Sequence, residues 1–191
     1  MSNAWEVASA IGTLGAVIVA LGIPVVSAWK GKQVHRQKAD LIASRLIEPV
    51  KALEEGLRSE MVSYTFYNDA EHSSDQSHAA RIVRIGSLAN SINVDVLQDL
   101  FILPNGCAGR LAIALGIIDV LTRDVEVVMS QGKWPKLIEM QRLFLVSQWR
   151  EQASNCADYL AVVRRELQKA ADRIAKMPSP EEIYDNNHKY Q

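Results

Sequence analysis

From Val7 to Trp29 the chain carries no charged side chain, and Lys30, Lys32, Arg36 and Lys38 follow at once. The run shows no polar face, which a surface helix of a globular protein would have. At about 1.5 Å per residue it reaches roughly 34 Å as a helix, enough for a hydrocarbon core of about 30 Å. Beyond Lys38 the pattern changes to apolar residues at three- and four-residue steps, the period of amphipathic helices. Ile42, Leu46, Val50, Leu53, Leu57, Met61 and Tyr64 form the first stripe. Pro49 lies within it and predicts a kink or a fresh helix start near Glu48. The polar stretch Asn68–Ser77 reads as a loop, after which Ile82, Ile85, Leu88, Ala89 and Ile92 mark a helix from His78. A short helix over Val94–Leu103 is expected next, capped by Asn93 and closed by Pro104.

The last two stripes are the longest. Cys107, Leu111, Ala114, Ile118, Leu121, Val125 and Val128 alternate steps of four and three, between a start at Asn105 and a stop at Gly132. Trp149, Ala153, Cys156, Leu160, Val163, Leu167, Ala170, Ile174 and Met177 keep the same alternation, on a helix expected from Pro135 to Met177. Spacing of 3.5 residues means shallow crossing angles, in a bundle or a coiled coil. Alternating runs with hairpin turns are absent, so the fold class is all-α: one N-terminal transmembrane helix, then an antiparallel helical bundle with a long heptad-patterned final helix. The segments are an outer N-terminus at 1–6, the span at 7–29, a basic collar at 30–38, the bundle at 39–177 and a flexible tail at 178–191.

Ten large aliphatic residues in the span favour insertion by about 3 to 6 kcal/mol, partly offset by Ser9, Thr13, Ser27, Pro24 and three glycines. A secretory signal would begin with basic residues, and here only Glu6 precedes the run; Val26-Ser27-Ala28 is the one feature that suits cleavage. The stretch Ala10–Leu21 resembles the anchors of small bacterial membrane proteins. Basic residues lie only after the span, so the N-terminus is expected outside, in a single-pass topology of the cell membrane with the remainder cytoplasmic. Trp5 and Trp29 stand where indole rings favour the headgroup level. Lys30, Lys32, Arg36 and Lys38 are topology residues with an attraction to anionic headgroups.

Charge and chemistry add little. Net charge is −1 and 23% of residues are charged, so no nucleic-acid partner is expected. Cys107 and Cys156 are too few for a disulfide framework and read as packed, reduced thiols. Asp69, Glu71, His72, Asp75 and His78 offer metal-ligand atoms, but the histidines are six apart across serines and suit a solvated acidic loop better. Arg164, Arg165, Lys169, Arg173 and Lys176 give the last helix a basic side, interrupted by acidic residues and eased by Glu166–Lys169 and Asp172–Lys176 spacing. No nucleophile triad, nucleotide loop, paired-cysteine motif or H-E-x-x-H occurs, so no catalytic, cofactor or metal residue is assigned. The expected function is a membrane-anchored helical interaction, scaffold or regulatory module with an unidentified protein partner. A metal-dependent membrane enzyme or effector using the Asp69–His78 loop is the alternative.

Ala8, Gly12, Ala16 and Ala20 recur every four residues, a face on which two membrane helices can approach closely. Self-association is expected there or through the final helix. Gly12→Ile keeps the span apolar but adds bulk to this face, so it should lower the signal of a membrane dimerisation reporter carrying residues 1–38. Gly15→Ile, partly off the stripe, should lower it less. Equal signals at equal expression would reduce the stripe to ordinary membrane-helix composition.

Overall fold

The computed structural model describes residues 3–65, 75–130 and 132–174, with side chains described over 31–65, 77–129 and 132–174. The chain forms two compact units, Met1–Lys38 and Ala39–Gln191. Every regular element among the described residues is helical. Helix α1 covers Asn3–Thr65, α2 Asp75–Asn90, α3 Val96–Asp99, α4 Cys107–Ser130 and α5 Glu139–Ala171, with single 3₁₀ turns at Leu100–Ile102 and Trp134–Lys136. Among the described residues no helix is long and apolar enough to cross a membrane. The side chains of Val7–Trp29 lie outside those residues.

The second unit is a helical bundle built from α1 beyond Ala39 and from α2, α4 and α5. Its core is the set of stripes that the spacing marks. Leu46, Val50, Leu53, Leu57 and Tyr64 of α1, Ile82 of α2, Leu111, Ile118, Leu121 and Val125 of α4, and Leu160, Val163 and Leu167 of α5 are all buried. Contacts of α1 with α5 and the turn that follows it run in opposite chain order, Asp40 with Arg173 of that turn, Glu54 with Arg164 and Tyr64 with Trp149, so these helices are antiparallel. The thiol of Cys156 donates to the carbonyl of Ala114 at 3.3 Å, joining α5 to α4. On α5 the buried set is wider than a two-helix seam, because Ala157 and Glu166 join the heptad positions. A bundle helix touches two neighbours, which broadens the face it must bury.

Element boundaries depart from the sequence expectations in several places. Pro49 does not break α1. Its ring forfeits one helical hydrogen bond, but Leu46, Val50 and Leu53 on either side are locked in the core and hold the helix through it. Helix α2 begins at Asp75, so Asp75–Ser77 are helical rather than loop. The helix expected over Val94–Leu103 is reduced to α3 and a 3₁₀ turn. The Asn93 side chain accepts from the Asp95 amide at 2.9 Å, forming a turn instead of a cap, and Leu103 is extended before Pro104. Asn105 does not cap α4: it takes a positive φ of 58° and sends its amide across to Glu166. Pro135 belongs to the 3₁₀ turn, and extended residues at Leu137 and Ile138 delay α5 to Glu139. There the Gln141 side chain accepts from the Ile138 amide at 3.2 Å. Helix α5 ends at Ala171, where Ile174 finds no core and is exposed; Met177 and the tail lie outside the described residues.

At Gly86, α2 packs closely against Thr122 of α4. A Cβ at this position would lie 2.5 Å from Oγ1 and 2.8 Å from Cγ2 of Thr122. Gly86→Ala should therefore destabilise the protein by about 1–3 kcal/mol in denaturant unfolding, although alanine is the better helix former. Adding Thr122→Ala should recover most of the loss. A stabilising Gly86→Ala would show that the two helices are not in this contact.

Candidate functional site

Three carboxylates of α1 are buried in a helix interface: Asp40, Glu54 and Glu60. Taking such a charge out of water costs several kcal/mol unless a cation and hydrogen bonds replace the lost hydration. Each has them. Arg173, in the turn just after α5, donates to Asp40 at 2.5 Å through Nη2 and 3.3 Å through Nε. Arg164 of α5 donates to Glu54 at 2.7 Å, and Arg58, one turn along α1, donates to the other oxygen at 3.1 Å. Arg81 of α2 donates to Glu60 through Nε. These arginines keep 37–45% of their side chains in solvent while the acids keep at most 8%. The cations are thus only partly desolvated, as long side chains that lie along an interface allow.

The Glu60 end is the richest cluster. Nδ1 of His78 lies 3.1 Å from Glu60 Oε2 and 2.8 Å from Nη2 of Arg81. That nitrogen either donates to the carboxylate or accepts from the guanidinium, so the tautomer of His78 decides which contact is the hydrogen bond. Tyr64 stacks on the imidazole with centroids 5.4 Å apart and meets Trp149, which stacks on Trp134 at 5.7 Å. Burial, then the negative charge of Glu60, pushes the Tyr64 phenol well above its ordinary range against the opposing Arg81, so it stays protonated. A carboxylate–imidazole pair is a recurrent acid–base device, but Glu60 is 1% exposed and the Tyr64 ring stacks on the imidazole. The arrangement suits joining α1 to α2 on either side of residues 66–74.

At Glu166 the same chemistry ties the α3–α4 connection to α5. Lys169 donates at 2.8 Å and Asn105 at 3.0 Å. The Lys169 bond first, with help from Asn105, holds this carboxyl below the usual range despite burial. Beside it the Cys107 thiol is pushed up to about 11, by burial first and then by Glu166; burial takes Cys156 to about 12. Both are free and buried, hence poor nucleophiles at neutral pH.

Of the residues singled out from sequence, Arg164, Arg173 and Lys169 are drawn into pairs with Glu54, Asp40 and Glu166, while Arg165 is exposed and Lys176 lies outside the described residues. His78 is on a helix and engaged with Glu60; Asp69, Glu71 and His72 lie outside the described residues, as do the side chains of Asp75, Trp5, Trp29, Lys30, Ala8, Gly12, Ala16 and Ala20. Among the described residues no three His, Cys, Asp or Glu side chains gather as a metal site. Lys32, Arg36 and Lys38 are exposed. The buried acids were missed because each sits beside an apolar stripe and reads as its solvated flank. Asp40 and Glu54 leave one signal, the reversed order of opposite charges along α1 and along α5 with the turn after it; Glu60 and Glu166 leave none.

Glu60→Leu should cost about 2–4 kcal/mol in denaturant unfolding, since it removes the buried carboxylate that Arg81 and His78 share. Arg81→Leu added to it should return part of that loss, giving a coupling of about 1 kcal/mol or more in the double-mutant cycle. Additive single effects would show that the pair does not hold α1 to α2.

No protein-family model matches the chain, and no curated protein and no solved structure matches it significantly.

Proposed function

We propose that the protein is a membrane-tethered helical interaction module: Val7–Trp29 crosses the bilayer, and the bundle from Ala39 onward works on the cytoplasmic side as a scaffold, regulator or subunit. The observation that carries this reading is the uncharged run followed immediately by Lys30, Lys32, Arg36 and Lys38, with no Lys or Arg before it. Supporting it, the buried ionisable groups Asp40, Glu54, Glu60, His78 and Glu166 are all engaged in pairs between or along helices, which is scaffold chemistry. A metal-dependent effector working through Asp69–His78 has less support, because Nδ1 of His78 faces Glu60 and Arg81.

The full chain should stay with membranes through alkaline carbonate extraction. A reporter fused after Gln191 should be active if it works only in the cytoplasm and silent if it works only outside. Neutral residues at Lys30, Lys32, Arg36 and Lys38 should weaken this preference. An extractable chain, or a reporter active only outside, would overturn the reading.

A further inference from the structure

Helix α4 has a second apolar face. Gly109, Ile113, Gly116, Val120 and Val127 fall within about 60° of one another at 3.6 residues per turn, opposite the stripe that the core buries. Ile113, Val120 and Val127 are 49%, 51% and 43% exposed. Nothing lies within 4 Å of a Cβ placed on Gly109 or Gly116. Glycine is a poor helix former, and the fold itself supplies a reason for it elsewhere, at Gly86 against Thr122. It supplies none for these two, seven residues apart on an open face. Glycine at such spacing admits a second helix at close range.

We propose that the occupant is a second copy of this chain, α4 against α4, antiparallel about a two-fold axis level with Ile118. In this register Gly116 faces the second copy's Val120, and Gly109 faces its Val127, so every valine meets a glycine. Ile113 lies level with the second copy's Arg123, whose stem covers it while its guanidinium holds Asp119 of the same helix at 2.7 Å. On the flank toward α5, Arg110, Ile117 and Asp124 follow at seven-residue steps. Antiparallel pairing places Arg110 of each copy beside Asp124 of the other, and Ile117 beside Ile117. Ile117 shares a shallow groove with Tyr159 and Val162 of α5, which widens the apolar surface. A parallel pair would set glycine against glycine and bring Asp119 near the other copy's Asp124. On the opposite flank the same pairing brings Asp119 of the two copies together, each held by its own Arg123, so the fit of valine to glycine and the two Arg110–Asp124 pairs select the antiparallel arrangement.

The test uses the full chain in detergent, carrying Gly12→Ile so that pairing through the anchor does not contribute, with the dimer constant read by analytical ultracentrifugation. The chain should dimerise. Arg110→Glu or Asp124→Arg alone should weaken the dimer roughly tenfold, since two attractions become two repulsions, and the double reversal should restore it. Gly116→Leu should also weaken it while leaving helicity and melting intact, whereas a merely sticky apolar face would bind more tightly with leucine. A chain monomeric at every attainable concentration leaves the face to a different partner and overturns the proposal. So does a dimer that ignores all three single changes, or a double reversal that does not rescue.

Discussion

The bundle depends on the requirement that a carboxylate removed from water be given a cation. Three such carboxylates lie along α1, and the arginines that reach them from elsewhere come from α5, the turn after it and α2, with Arg58 of α1 itself also on Glu54. The apolar stripes alone would let α1 and α5 slide by a heptad and still bury leucine against leucine. That slip would carry Glu54 away from Arg164, leaving it only Arg58 of its own helix, and would leave Asp40 without Arg173, a buried charge unpaired at a cost of up to about 3–5 kcal/mol. Apolar contact supplies the drive to associate, and the ion pairs select one register.

The half-exposed arginines make this selection affordable. A fully buried pair would recover little of the desolvation of both partners. Here the acid alone is deeply buried, and the guanidinium reaches it along the interface with its outer face in water. Glu166 follows the same plan with Lys169 and Asn105, and there the connection before α4, with left-handed backbone at Asn105 and Gly106, is fixed to α5. The ionisable groups that would attract notice as candidates for chemistry are the ones that hold helices in place.

Packing divides the small residues into two kinds. Ala43, Ala114, Ala153 and Ala157 are wholly buried and let helices approach inside the bundle, as Gly86 does against Thr122. Gly109 and Gly116 have no such neighbour and stand on an outer face of α4 between exposed isoleucine and valines. The bundle's buried carboxylates are paired within it, while this surface is left open. A tether in the bilayer would concentrate copies in two dimensions and favour even a modest face.

The helical class and most of the core were legible in the sequence, because periodicity is a one-dimensional property. The stripes through Leu46–Tyr64, Leu111–Val125 and Trp149–Ala170 are the buried faces almost residue for residue. The uncharged run and its basic flank were equally plain. Capping was read less well: Asn93 and Asn105 have the right chemistry for helix starts, but a turn and a distant carboxylate claim their side chains. Pro49 looked like a break, yet the core on either side outweighs one lost hydrogen bond. Which polar residues go inside shows in the sequence only as a reversed order of opposite charges, since Glu54 and Arg164 are 110 positions apart and only their helices' register brings them together. The sequence by itself determined the periods, and with them the helices and their apolar faces. Tertiary structure decided which charges are buried and which glycines have neighbours, because both depend on what a second helix brings opposite them.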